Sequence, residues 1–343
     1  MSILKNKVKN IKEEIGEKNA LLIYNPKNLY YLCGIEGFGA VGLLTPEKWT
    51  LFLNENDYEL AADKNPANEV HLEIYKKGIV KDTIKELVKK GRISEIFVDN
   101  IYGEALRNLE NATGRRIEIS DVVERARMLK TDDEIENIKK ACEIARRGIE
   151  LAREIYLSEK RISEHNLAAE LEYFMKKCGS EGTFEEGILL ACEKNAAHIH
   201  AKPSDKIIKG AMLVDLGAKF NNYFSDFSRT FTERASNEVK KHAEFIENLE
   251  LIIIDKIYAG MKIPEISKFA GKEIEKNNFK LFHSLGHGVG LDVHELPIIN
   301  NDSKEEFTEN MVFTIEPGIY KANKFGIRSE DTCLIKNGKA EIL

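Results

Sequence analysis

Short apolar runs mark the first third of the chain. Residues 20–24, 40–44, 48–53 and 94–98 are rich in aliphatic and aromatic side chains, and polar or turn residues bound them. That pattern predicts strands. Lys81 to Lys90 reads as a helix ending at Gly91, a common stop signal. A small α/β domain is expected here.

The pattern changes near Met128-Leu-Lys-Thr131. Thr131-Asp-Asp-Glu134 predicts a capping box, in which the Thr and Glu side chains satisfy each other's free backbone N–H groups. Behind it Ile135, Ile138, Cys142, Ala145, Ile149 and Ala152 recur every three or four residues, one face of a helix. Further helices are expected over 164–177, 236–257 and 264–276, with Pro264 in a first turn. The chain of 343 residues therefore divides into expected domains 1–128 and 129–343, each of ordinary size.

Two strands of a hairpin are predicted over 211–219 and 222–231, joined through Phe220-Asn221-Asn222. Asn tolerates the left-handed turn conformation. Strand side chains alternate between faces. A loop at 220–221 sets Asp215 opposite Asp226; a loop at 221–222 sets Asp226 opposite residue 217. Either register leaves the two acids on one face, within mutual reach. Residues 311–316 alternate as well, with Met311, Phe313 and Ile315 on one face and Val312, Thr314 and Glu316 on the other. Over 327–332 the same period groups Arg328, Glu330 and Thr332. Apolar strands that point acids inward are costly unless something compensates the charge.

Between these acids lies Leu285-Gly-His-Gly-Val-Gly-Leu-Asp-Val-His294-Glu. Glycine permits positive φ and close approach to the backbone, so His287 is expected to project from a tight turn. One His and four acids form a ligand set for two divalent metals; such a pair, about 3.5–4 Å apart, activates water and polarises a carbonyl or phosphoryl oxygen. A single acid among the 57 in the chain is ordinarily a solvated surface residue. Five such residues in this order, each in an apolar strand or glycine turn, are not ordinary.

Composition narrows the classes. There is no run of 18 apolar residues, so no membrane span is expected, and Met1-Ser-Ile-Leu-Lys-Asn-Lys-Val-Lys lacks the apolar core of a signal peptide. Five unpatterned cysteines read as reduced thiols of a cytoplasmic protein. A net charge of −6 without a basic block argues against nucleic acid.

Taken together, the segments from about residue 131 onward resemble the pita-bread metallopeptidases, which include prolidase, aminopeptidase P and methionine aminopeptidase. Ala20-Leu-Leu-Ile-Tyr-Asn-Pro-Lys-Asn28-Leu-Tyr-Tyr31-Leu-Cys-Gly34 resembles the creatinase-like N-terminal domain of the first two. The resemblance implies an α+β chain: a small α/β creatinase-like domain, then a pita-bread catalytic domain. It implies that Asp215 and Asp226 hold one metal, that Asp226 and Glu330 bridge, and that His287 and Glu316 complete the second. His294 matches the residue that assists at the scissile carbonyl, and Glu316 would shuttle a proton. His200 falls where the family has a Pro-His pair, here with Ile199 for the proline and His198 as a competitor. His283 stands four before His287, where proline-specific members place a His. Arg328 orients Glu330 or Asp331, or forms a simple strand salt bridge.

The function implied is a dinuclear exopeptidase cleaving Xaa–Pro bonds at the N-terminus of short peptides. Carboxylate-rich ligands suit Mn or Co, with Fe or Zn as alternatives. Prolidases often carry an Arg after the His-Glu-x-Pro run, whereas here Ile298 follows Pro297. That departure leans toward an aminopeptidase, with a dipeptidase as the alternative. A homodimer is expected. A creatinase-type amidinohydrolase or a non-catalytic binding module on the same fold would have lost several of the five ligands.

Overall fold

The apolar runs of the N-terminal region assemble into one mixed sheet in the computed structural model, which describes residues 3–35, 39–64, 70–158 and 161–343. Residues 1 and 2 of the expected first domain lie outside these. The chain separates into two units, Met1–Arg127 and Met128–Leu343.

In the first unit the strands are β1 (Ala20–Ile23), β2 (Val41–Leu44), β3 (Trp49–Leu53), β4 (His71–Ile74), β5 (Ile96–Val98) and β6 (Ile117–Ile119). They lie in the order β4-β3-β2-β1-β5-β6. β1, β2 and β3 are buried along their whole length, as expected of strands covered on both faces. The two edge strands, β4 and β6, escaped the sequence reading. Their residues His-Leu-Glu-Ile and Ile-Glu-Ile are mostly exposed or half-buried, and a short charged edge carries little apolar signal. The Asn-x-x-Tyr-Leu-x-Gly pattern is a short helix, Pro26–Cys33, capped by Asn25 and closed by Gly34 at φ 68°. Its buried Asn28 donates to Asp99 and to Glu124.

The second unit opens on the helix Asp132–Leu157 with both halves of the capping box formed. Ile135, Ile138, Cys142, Ala145 and Ala152 are buried on it. Ile149 is only half-buried; its neighbour Gly148 takes the tight position, where a Cβ would stand 3.0 Å from Met175 Sδ. The strands are β7 (Leu189–Cys192), β8 (Met212–Leu216), β9 (Lys219–Phe220), β10 (Tyr223–Phe224), β11 (Phe227–Phe231), β12 (Gly286–Gly288), β13 (Glu295–Ile299), β14 (Val312–Ile315), β15 (Gly318–Lys321), β16 (Phe325–Arg328), β17 (Asp331–Lys336) and β18 (Lys339–Ile342). β11-β8-β7 form one sheet and β13-β12-β14-β17-β18 another, with two-stranded ribbons β10-β9 and β15-β16. Met311, Phe313 and Ile315 enter a core with Ile246 and Ile253 of the helix Asn237–Lys256 and Ile263 and Ile266 of the helix Ile263–Lys276. The opposite face of β14 is left for polar groups.

The expected hairpin and the expected strand over 327–332 are both broken where they carry acids. The hairpin divides at 217–218 and 225–226, because Gly217 lies against the chain there: a Cβ on it would meet Ser225 O at 2.1 Å. Ala218 N donates to Ser225 Oγ at 3.2 Å across the break. Pairing of Tyr223 with Phe220 and of Ser228 with Asp215 places the turn at Asn221 and Asn222, at φ 45° and 69°. This is the second of the two registers. The strand expected over 327–332 also changes partners: β16 pairs with β15, β17 with β14. Glu330 sits at the crossover and bridges to Ser228.

Candidate metal centre

Asp215 lies within regular pairing, opposite Ser228 and Leu189, while the other three acids stand where pairing gives way. Asp215 is on β8, Asp226 at the hairpin break, Glu316 just beyond β14 and Glu330 at the crossover. His287 stands in the middle of β12, not in a turn, which corrects the expectation above. The flanking glycines serve close approach: a Cβ on Gly286 would meet Thr314 O at 2.0 Å, and one on Gly288 would meet Leu296 O at 2.1 Å.

Asp226, His287 and Glu330 offer ligand atoms all within 4.8 Å of one another. His287 Nε2 is 3.7 Å from Asp226 Oδ2 and 3.7 Å from Glu316 Oε1. Asp215 adds its field, raising the pKa of Asp226, Glu316 and Glu330 alike. Burial is the first cause in each case and neighbouring carboxylates follow. Glu330 is pushed up to about 7, while Asp226 and Glu316 lie well above the usual carboxylate range. The Arg328 guanidinium opposes all three shifts.

The donor set fits divalent cations. Asp215 Oδ1 and Asp226 Oδ1 are buried and accept no hydrogen bond, an arrangement that costs free energy unless a cation meets it. The imidazole is set up to match. His287 Nδ1 lies 3.1 Å from Gly288 O; a carbonyl only accepts, so the proton sits on Nδ1 and the Nε2 lone pair faces the acids. Burial holds this ring neutral, its pKa pulled down to about 3. Asp215, Asp226, His287, Glu316 and Glu330 could together hold the metals.

Around the acids runs a hydrogen-bond frame. Arg328 pairs with Asp215 Oδ2, and donates to Tyr320 Oη at 2.9 Å and to Ser228 Oγ at 2.9 Å. It therefore pairs directly with Asp215 and reaches Glu330 through Ser228, while Asp331 is held by Arg229 at 2.7 Å. Ser228 Oγ donates to Glu330 Oε2 at 2.8 Å, Thr314 Oγ1 accepts from His287 N at 3.2 Å, and Thr332 Oγ1 bonds the backbone of Asp226. Ser228 and Thr314 stand two residues from Asp226 and Glu316, so strand alternation could have singled them out. Tyr320 lies on β15, a strand with no legible signal.

Three further histidines approach this frame. The His294 ring centroid is 4.2 Å from that of His287; burial lowers its pKa first, with His200 lowering and Asp215 raising it. His283 donates from Nδ1 to Ser284 O at 2.8 Å, so its Nε2 accepts from Tyr320 Oη at 3.1 Å. Burial pulls it down to about 4, and the His200 field adds to this. His200 is exposed, yet its field reaches both other rings. His198 is exposed as well.

The family described as Metallopeptidase family M24 matches residues 136–337, and Creatinase/Prolidase N-terminal domain matches residues 7–129. The Xaa-Pro dipeptidase of Pyrococcus furiosus is 34% identical over 333 residues, 94% of this chain and 92% of that protein. The crystal structure of the prolidase from Pyrococcus horikoshii superposes with a TM-score of 0.87 at 31% identity, covering 98% and 97% of the two chains. That of an X-Pro aminopeptidase from Thermotoga maritima gives 0.82 at 31%, covering 96% of each.

Proposed function

We propose, for a chain that belongs to metallopeptidase family M24 and its prolidase and aminopeptidase P branch, that it removes the residue before proline from the N-terminus of short peptides, using two divalent ions. The carrying observation is the buried cluster of Asp226, His287 and Glu330 with Asp215 and Glu316 beside it. In the proposal all five are ligands, with Mn or Co preferred over Fe or Zn because oxygen donors predominate. Bound there, the ions supply Lewis acidity and a water of lowered pKa.

The chain's own groups do the rest. His294 is neutral near pH 7, since burial lowers its pKa, and as an N–H donor it stabilises charge that develops on the scissile oxygen. A prolyl nitrogen has no N–H and must gain a proton as it leaves. In the proposal Glu316, whose Oε2 lies 3.6 Å from His283 Nδ1, passes it. His200 and His283 contact the substrate on the leaving-group side. The free cysteines support a cytoplasmic setting, and no described helix is long and apolar enough to cross a membrane. The homodimer belongs to the proposal through the family resemblance.

Substrate length turns on Ile298. It is the cross-strand partner of His287, so it stands beside the cluster, and it is 36% exposed. A dipeptide places its carboxylate directly on the proline, and an apolar wall leaves that charge uncompensated. A tripeptide places an amide there. The aminopeptidase reading follows. The dipeptidase reading draws on the Pyrococcus furiosus relative, which is named Xaa-Pro dipeptidase. Matched Xaa-Pro and Xaa-Pro-Yaa series with Mn²⁺ or Co²⁺ decide between them: tripeptides should be cleaved at least as well, at near two ions per chain by elemental analysis. A hundredfold kcat/KM advantage for dipeptides would establish the dipeptidase. Hydrolysis of neither series, or saturation at one ion, would sink the proposal.

A further inference from the structure

His294 ends the loop between β12 and β13, and this loop is tied down from beneath. Its first half is held by backbone bonds: Val289 N donates to Val312 O at 3.3 Å, and Phe224 N to Gly290 O at 2.8 Å. Its second half depends on a side chain. Glu295, the residue after His294, turns back under the loop. Its Oε2 accepts from Asp292 N at 3.4 Å. Its Oε1 lies so close to Gly290 that a Cβ there would stand 2.4 Å away. The same Oε1 accepts from Lys130 Nζ at 2.7 Å, with the side chains only 4% and 2% exposed. Lys130 is anchored in turn, its N–H donating to Asn310 O at 2.9 Å and its Nζ to Met128 O at 3.4 Å.

The pairing of β12 with β13 shows why a lock is needed. His287 pairs with Ile298, but Gly288 pairs with Glu295, so the register jumps beside the His287 ring. A bulge re-aims side chains, and here it brings His294 against His287. Backbone bonds alone define such a shifted register weakly. A buried ion pair is a poor source of stability compared with apolar residues of the same volume, and specification of geometry is a better-attested use of one.

We propose that Lys130 and Glu295 are positioning residues for His294: their buried ion pair holds the shifted loop so that the imidazole stays beside His287. The proposal rests on the role given above to His294. The decisive variant is the apolar pair Lys130→Met with Glu295→Leu, which fills the same volume without leaving a lone buried charge. Lys130→Met alone strands Glu295 and is expected to lower the melting temperature, which the double variant should restore. In the double variant kcat should fall roughly 10- to 100-fold, as for misplacement of a reacting group by about an ångström, with metal content retained. In the His294→Ala background the same pair should cost nothing further. A readout independent of turnover is the nuclear Overhauser contact between selectively labelled His287 and His294 rings in the metal-free protein, which should weaken or vanish. Wild-type kcat with an intact ring contact would overturn the proposal, as would a loss that multiplies with that of His294→Ala. Should the protein cleave no Xaa–Pro peptide, the function would fail but the ring contact would still decide the lock.

Discussion

Asp99 in the first unit and Asp226 in the second are both buried, and the two are treated differently. Asp99, at the end of β5, is ringed by donors: Tyr24 N at 2.8 Å, Asn25 N at 3.2 Å, Asn28 Nδ2 at 3.0 Å and Asn100 N at 2.6 Å. Burial raises its pKa and each of these donors counters the rise. Asp226 is more deeply buried, carboxylates surround its side chain and one oxygen accepts nothing. A buried acid with a full set of donors ties chain segments together. A buried acid facing other acids is unfavourable until a cation arrives. The contrast separates a carboxylate that ties chain segments together from one placed as a ligand would be in the proposed site.

The largest expected effect tests that contrast directly. Asp226→Asn or Glu330→Gln should lower kcat/KM by at least about 10³-fold at saturating metal, on the scale of lost electrostatic stabilisation in a water-excluded site. Metal-free stability should hold or rise, because a repelling charge is gone. Near-normal turnover in either variant would place the site elsewhere.

The mirror experiment is Asp99→Ala. It strands several buried donors and should cost roughly 1–3 kcal/mol in a denaturant melt, the usual penalty for an unsatisfied buried group. The kcat of the metal-loaded enzyme should stay within about twofold, since the Asp99 partners Tyr24, Asn25, Asn28 and Asn100 include no residue of the acid cluster. A stability gain on losing Asp99 would abolish the distinction drawn here.

The smallest effect is a pH slope. Glu330 has a folded pKa of about 7 against an ordinary 4.5, so the folded protein holds its proton more tightly than the unfolded chain. Its contribution is therefore present in full below pH ~4.5 and is lost as pH rises through ~7. Melting of metal-free protein should accordingly fall by several degrees across that window, and saturating Mn²⁺ should flatten the slope. A metal-free melting temperature that climbs across the window would contradict the crowding of acids described above.

Legibility in the sequence followed the strength of the local pattern. The capping box at Thr131 and Glu134 and the helix behind it were readable because helical spacing repeats over many turns. Alternation grouped Asp215 with Asp226 and set Glu316 opposite Phe313. The breaks were not readable: nothing local to Gly217 announces Ser225 O beside it, and nothing in Ser329-Glu330 announces a change of sheet. The glycines around His287 were noticed, but their reason was a neighbouring strand rather than their own φ.

The amino-acid order by itself determined which residue types could serve as metal ligands, their sequence, the two-unit division of apolar pattern and the faces on which Asp215, Asp226 and Glu316 lie. Those properties depend on residue identity and on periods of 2 or 3.6, which are local. Only the tertiary structure decided that Arg328 pairs with Asp215 and reaches Glu330 through Ser228, that Tyr320 links Arg328 to His283, and that Lys130 reaches 165 residues along the chain to Glu295. These contacts arise where strands exchange partners and registers shift, and such events are set by packing between segments distant in sequence.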